Sequence, residues 1–223
     1  MTFSIIARCP QTGQFGAAVA SSSPAVASRC IRVRAGVGVA ASQNITDPAL
    51  GNRLLDWLQQ GQTPQQAMQT LQTTPFIEYR QLMVLDATGT PVTRTGSAAL
   101  GTLGSAIGTD VACAGNMLAN PQVPQSMLQA FERSTGSLAE RLMQAMLAGQ
   151  QAGGEEGPVH SAGLLVAGEL EWPVVDLRLD WVEHDPVQAL YQVWKVYEPQ
   201  LANYVTRALD PRAAPSFGVP GNL

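Results

Sequence analysis

The sequence predicts an α+β domain built as a four-layer α/β/β/α sandwich, with two mainly antiparallel sheets stacked between helical layers. Three observations predict it. Short segments alternate polar and apolar residues and are joined by tight turns, the pattern of hairpins. Amphipathic helical stretches fall in pairs, between groups of strands rather than after every strand, so helices cover the outer faces of the sheets. The chain of 223 residues suits one well-cored domain, and no linker is long enough to separate two. Residues 1–198 are expected to form this domain, and 199–223 a C-terminal helix and Pro/Gly-rich tail.

In residues 2–9, Thr2, Ser4, Ile6 and Arg8 alternate with Phe3, Ile5, Ala7 and Cys9, which predicts a strand. The turn Pro10-Gln11-Thr12-Gly13 leads into a second strand from Phe15 to Ser21, and Ser22-Ser23-Pro24 breaks it. Arg32 and Arg34 share one face of an extended segment, as a solvated strand edge or an anion-facing patch. A third strand is predicted from Gly36 to Ser42. Pro48 opens a helix with a stripe of Leu50, Leu54, Leu55 and Leu58, closed by Gly61. Thr63 caps the next helix, with Pro64 in its first turn. Strands follow at Gln81–Asp86, Val92–Thr95 and around Thr109–Ala114, then helices at roughly 122–134 and 137–151. Gly153-Gly154-Glu155-Glu156-Gly157 reads as a flexible connection. Strands near 159–167 and 174–180, a helix from Pro186 to Tyr197, a short helix and a tail from Pro211 complete the pattern.

Composition excludes several function classes. Hydrophobic residues are 45% and charged residues only 13%, about half the usual quarter, which favours a large core and a homodimer or higher homo-oligomer. A net charge of −4 lacks the basic stripe of a nucleic-acid partner. Cys9, Cys30 and Cys113 are an odd, scattered set, pointing to a reducing cytoplasm. No secretory signal or membrane span is read from the apolar runs. Lys195 is the only lysine, and His160 and His184 the only histidines, so a Walker A loop and the usual zinc sites are excluded and no cofactor is expected.

Chemistry without histidine remains available at Thr2. Removal of Met1 would leave a threonine whose free α-amine, with an ordinary pKa of ~7.7–8.0, can deprotonate its own hydroxyl. Met-Thr alone is a weak signal, because many chains begin so. The surrounding motifs add to it. Thr2–Arg8 reads TFSIIAR, followed by GAAVASSSPAVAS (16–28), RAGVGVAASQN (34–44), Thr46-Asp47-Pro48, EYRQLMVLDATG (78–89), Thr95-Gly96, AGNMLAN (114–120), SAGLLV (161–166), Asp176-Leu177-Arg178 and Asp185-Pro186-Val187. In this ordered set, over about residues 2–195, the chain resembles an uncharacterised bacterial family of the N-terminal-nucleophile (Ntn) hydrolase superfamily. The resemblance implies an Ntn-hydrolase-like fold, a nucleophile at Thr2 and cleavage of amide bonds through an acyl-enzyme. It implies no substrate. Departures occur at Ser22-Ser23 and Val159-His160, where many relatives carry a basic residue with an aromatic and an Arg-Gln pair.

Other candidates have two readings each. Asn116 follows Gly115 at a strand end and could steady an oxyanion, or form a turn. Gln43 and Asn44 could orient the amine or substrate, or cap the turn before Asp47-Pro48. Ser21, Ser22 and Ser23 could bond the amine or simply make a turn. His160 could reach a pocket or be structural. Arg178 and Arg80 could bind a substrate carboxylate or make intrachain contacts, with Asp176, Arg178 and Asp180 pairing across a sheet. Trp57, Trp172, Trp181 and Trp194 are explained by core or interface packing. Three functions compete: an amidohydrolase using Thr2 on a small-molecule substrate, a non-catalytic binding or assembly protein of the same fold, and a hydrolase built on His160 with an acidic partner.

Overall fold

Alternation along the first strand decides which layer each side chain enters. In β1 (Thr2–Arg8), Phe3, Ile5 and Ala7 join one apolar cluster and Ile6 joins another. The same parity repeats across the computed structural model, which describes residues 1–216. After β1 the chain forms β2 (Phe15–Ser21), α1 (Val26–Cys30), β3 (Ile31–Arg34), β4 (Gly38–Asn44), α2 (Pro48–Gln59) and α3 (Pro64–Thr70). Next come β5 (Arg80–Asp86), β6 (Val92–Thr95), β7 (Gly104–Gly108), β8 (Val111–Asn116), α4 (Val123–Arg133) and α5 (Leu138–Gln151). β9 (Ser161–Ala167), β10 (Val175–Leu179), α6 (Pro186–Tyr197) and α7 (Leu201–Leu209) complete it.

One sheet has the order β10-β9-β2-β1-β8-β7 and the other β3-β4-β5-β6, with antiparallel pairing at every neighbour. Three apolar layers separate the four structural ones. Phe3, Ile5, Cys113 and Leu164 pack beneath Met127, Leu142 and Trp194 of α4, α5 and α6. Ile6, Val19, Ala112 and Ala114 face Val39, Ala41, Met83 and Leu85 between the sheets. Ala40, Leu82 and Val84 pack under Leu50, Leu54 and Met68 of α2 and α3. The chain is therefore the α/β/β/α sandwich that the pattern predicts.

Helix ends follow local chemistry. Asp47 accepts from the Ala49 amide with Pro48 in the first turn, and Thr63 and Gln66 form a reciprocal capping box. Glu140 ties α5 to α6, accepting from Trp194 Nε1 at 2.9 Å, Tyr191 Oη at 3.0 Å and Gln144 Nε2 at 2.8 Å. Burial opposes ionisation of Glu140, but these donors and Lys195 hold its carboxyl below the usual range.

The structure corrects the sequence reading in several places. Residues 26–30 form α1, too short to show a helical period, ahead of the extended segment read at Arg32 and Arg34, which is β3. Ala27 of α1 lies so close to β9 that a Cβ at Gly163 would stand 2.3 Å from its methyl. The third strand begins at Gly38, because Gly36 turns at φ +68. The strand expected at Thr109–Ala114 is β8, Val111–Asn116, and the glycine-rich run before it hides the edge strand β7. Segment 153–157 is no free connection. Its Gly154 carbonyl accepts from the Ala119 amide at 3.1 Å, the Glu156 amide donates to the Met117 carbonyl at 2.9 Å, and Glu155 bridges Leu118. Trp194 is core, whereas Trp172 and Trp181 are exposed. The part of the predicted tail beyond residue 216 lies outside the described residues. No helix among the described residues is long and apolar enough to cross a membrane.

Candidate functional site

Parity places one residue type after another in the same layer. Thr2 and Ser4 of β1, Ser21 of β2, Asn116 of β8, Gln43 of β4 and Gln81 of β5 continue the rows that form the inter-sheet core. They replace its apolar side chains with polar ones at one end. All six are buried, and Thr2 is only 5% exposed. Buried polar atoms need partners, and these side chains find them across the gap between the sheets. Ser4 Oγ donates to Gln43 Oε1 at 2.6 Å, and Gln43 Nε2 donates to Gln81 Oε1 at 2.8 Å. Asn116 Nδ2 donates to the same Gln81 oxygen at 3.1 Å, while Gln81 Nε2 donates to the Gly115 carbonyl at 3.0 Å and Thr95 Oγ1 at 3.2 Å.

Above this network sits Thr2, directly opposite Asn116 in the β1–β8 register. Its hydroxyl donates to the Met1 carbonyl at 2.5 Å, and Ser21 Oγ donates to that same oxygen at 2.5 Å. The two hydroxyl oxygens stand 3.5 Å apart. Ser21 is itself oriented by the Ser23 amide, which donates to Ser21 Oγ at 3.1 Å. The turn carrying these serines is anchored from β9, where Ser161 Oγ donates to the Ser23 carbonyl at 2.6 Å and the His160 amide to the Ser21 carbonyl at 2.9 Å. Asn116 Oδ1 is buried and meets no donor among the described residues.

Glu155 completes the surroundings of Met1. It is 4% exposed, and neither carboxylate oxygen has a partner of hydrogen-bonding geometry among the described residues. Burial pushes its carboxyl up to about 7, against the pull of the Met1 ammonium and of the Ser22 amide and hydroxyl. A Cβ at Gly157 would lie 2.9 Å from Met1 Cε, so the Met1 side chain rests on this glycine.

The structure brings together Thr2, Ser21, Asn116 and Gln43, with Ser22 beside Glu155. It separates the others from them. Asn44 leaves β4 at φ +75 with both side-chain amide atoms buried and unpaired among the described residues. Arg80 holds the neighbouring turn through the Ile45 carbonyl. The His160 ring stacks on Trp181 with centroids 4.2 Å apart and its Nδ1 lies 3.0 Å from the Val182 carbonyl. Arg178 is exposed and lines a different groove of ≈ 240 Å³ with Arg32 and Asp176. The expected ion pair of Arg178 with Asp176 or Asp180 is absent among the described residues, and all three side chains are exposed. Gln81 and Glu155 carry no signal of a site in the sequence. Parity along β5 could have found the first, but nothing local marks the second. No group of three or more His, Cys, Asp and Glu side chains among the described residues could hold a metal ion.

Over residues 2–190 the sequence matches DUF1028, a family of unknown function. The crystal structure of a Silicibacter pomeroyi protein of the same family is 31% identical, with a TM-score of 0.84 over 91% of this chain and 89% of that one. Weaker matches include Anbu, an ancestral beta-subunit, from Yersinia bercovieri, 12% identical over 92% of this chain and 97% of that one at a TM-score of 0.37. An Anbu mutant from Hyphomicrobium sp. strain MC1 matches at 12% identity and a TM-score of 0.43, over 92% of this chain and 99% of that one. No curated protein matches the sequence.

Proposed function

The chain belongs to the DUF1028 family, and from that premise we propose that it is an amidohydrolase with Thr2 as nucleophile, acting on a small substrate after Met1 has left. One observation carries this reading: the Thr2 hydroxyl lies against a carbonyl group whose oxygen a second hydroxyl, that of Ser21, also holds. The Ser21 contact is what an acyl-transfer site needs, a donor aimed at the carbonyl oxygen beside the nucleophile. The Thr2 hydroxyl here donates to that oxygen, and turns to the carbonyl carbon only once its proton passes to the freed amine.

Loss of Met1 would free the Thr2 amine next to Oγ1. The neutral amine takes the hydroxyl proton as Oγ1 bonds to the substrate carbonyl carbon, and Ser21 Oγ donates to the oxyanion. The C–N bond then breaks, with the amine returning its proton to the departing nitrogen. A water molecule, deprotonated by the same amine, cleaves the resulting ester, releasing the acid and restoring the hydroxyl. Asn116 is opposite Thr2 and its Oδ1 is unpaired among the described residues, which suits an acceptor that orients the ammonium. Gln43 acts through Ser4 and Gln81 to hold the strands in place. Ser22 is assigned to the rim of the site beside Glu155, and Asn44, which alternates to the other face of β4 from Gln43, receives no role. Arg80, His160 and Arg178 receive no role in this reading, since their side chains are engaged or lie elsewhere. A homodimer is supported by Val193, Val196 and Leu209, exposed on α6 and α7.

The test is intact-mass spectrometry of protein purified from its own host, followed by labelling with an amide-mimicking electrophile. Loss of one methionine and labelling that disappears in Thr2→Ala are expected. Retained Met1, or equal labelling of both proteins, would sink the proposal. Retention would favour the second reading, a non-catalytic binding protein, which the near-complete burial of Thr2 beneath Met1 supports.

A further inference from the structure

We infer that Gln81 is a positioning residue for the Thr2 amine: it engages the nitrogen of the Asn116 carboxamide, so that Asn116 has only an acceptor to offer the base. The inference rests on Thr2 being the nucleophile and on Asn116 meeting its amine. It adds the residue that fixes the direction of that contact.

A carboxamide has a donor end and an acceptor end of nearly equal size. Which end meets a partner must be set by a group that cannot exchange the two roles. A peptide carbonyl is such a group, because it only accepts. One end of the Gln81 carboxamide lies 3.0 Å from the Gly115 carbonyl and 3.5 Å from that of Gly104, so this end is the nitrogen. Its Oε1 is then the acceptor, and the atoms of Gln43 and Asn116 at 2.8 and 3.1 Å from it are both nitrogens. Gln43 turns its oxygen to Ser4, whose hydroxyl donates at 2.6 Å. Asn116 keeps Oδ1, buried and without a donor among the described residues. Each polarity follows from the one before, and the first is set by backbone.

Gln81 therefore grips residue 116 twice, at its side chain and at the carbonyl that precedes it, and residue 116 stands opposite Thr2. Ser4, two residues along β1 from Thr2, has its proton committed to Gln43 and can only accept from other groups. The polarity matters to the base. An amine N–H that donates to Oδ1 leaves the lone pair free for the hydroxyl proton. A reversed carboxamide would donate to that lone pair and occupy it. An acceptor also favours the ammonium form, whereas a donor favours the neutral one.

The experiment follows the p-nitrophenyl acetate burst against pH in processed protein, with absence of Met1 established by mass. A burst lost in Thr2→Ala identifies the nucleophile. Wild type is compared with Gln81→Met, Asn116→Ala and the double variant. Glu155 and the buried Cys30 feel the charge of the chain terminus, but they are common to all four proteins and cancel in the comparison. Loss of the fixed acceptor lowers the amine pKa, so the acid limb should move to lower pH by about one unit in Gln81→Met. The limb should move the same way in Asn116→Ala, and no further in the double variant. A limb unmoved by Gln81→Met, or moved equally by it in the Asn116→Ala background, would overturn the assignment and leave Thr2 standing. No burst in the wild type would remove the nucleophile, and its positioning residue with it. A second measurement needs no variant at position 81. In wild type carrying isotopically labelled asparagine, the Asn116 Nδ2 protons, assigned by their loss in Asn116→Ser, should show nuclear Overhauser contacts to the Gln81 side chain. Contacts to Thr2 in their place would overturn the inference.

Discussion

Gln81 of β5 and Asn116 of β8 are joined by a 3.1 Å hydrogen bond that crosses from one sheet to the other. The bond fixes the residue opposite Thr2 to the sheet that carries none of the β1 ladder. Gln81 also receives Gln43 and donates to Gly115, Thr95 and, at 3.5 Å, Gly104, so five partners depend on one carboxamide. Gln81→Met keeps the volume and removes every one of these bonds. Each buried polar group left unpaired costs roughly 1–3 kcal/mol, so the variant is expected to lose about 3 kcal/mol in urea unfolding. A change within about 0.5 kcal/mol, the scale of a neutral surface substitution, would show that the network adds nothing to stability.

Ser21 is the donor aimed at the carbonyl oxygen beside Thr2, and it is already oriented by the Ser23 amide. Removing one such donor from an acyl-transfer site costs about 10²–10³ in kcat. Ser21→Ala should show that loss on any amide the enzyme cleaves, with KM little altered, because the bond strengthens as the oxyanion forms. Steady-state kinetics separate the two constants. A rise in KM at constant kcat would assign Ser21 to ground-state binding instead.

Much of this arrangement is legible in the strands and little of it in the loops. Period-two alternation in TFSIIAR puts Thr2 on the face of Ile6, and the same rule puts Gln43 with Ala41 and Asn116 with Ala114. Sequence reasoning could therefore gather Thr2, Gln43 and Asn116 at one end of one layer. Gln81 obeys the same rule, but reads as an ordinary strand start. Glu155 follows no period. Its burial comes from the contacts of segment 154–156 with residues 117–119, about forty residues earlier, and two glycines before it suggest the reverse. Arg178 and His160 were drawn away for the same reason, since their partners, the exposed groove and Trp181, are tertiary facts.

Asn116 lies opposite Thr2, and its Oδ1 meets no donor among the described residues. If it orients the liberated amine, Asn116→Asp places a negative charge beside the base. An opposite charge favours the ammonium form and raises the amine pKa. The base acts only when neutral, so the acid limb of the kcat/KM profile should move to higher pH by about one unit or more. Asn116→Ser should leave the limb near its original position at reduced kcat. A profile unmoved by the aspartate would separate Asn116 from the amine.

Glu155 makes stability itself depend on pH. Its carboxyl rises from 4.5 to about 7 in the folded chain, through burial that the Met1 ammonium and Ser22 only partly offset. The folded protein therefore binds this proton more tightly than the unfolded chain does. For a group raised in this way, the stabilisation is complete below the unfolded value and is lost as pH rises through the folded one. In the form that retains Met1, wild type should lose stability relative to Glu155→Gln between about pH 4.5 and 7, by an amount on the order of 3 kcal/mol. Urea midpoints of the two proteins at acid and at neutral pH give the difference directly. Parallel curves would mean that Glu155 finds an ammonium partner close enough to cancel its burial, and that the carboxylate is ionised throughout.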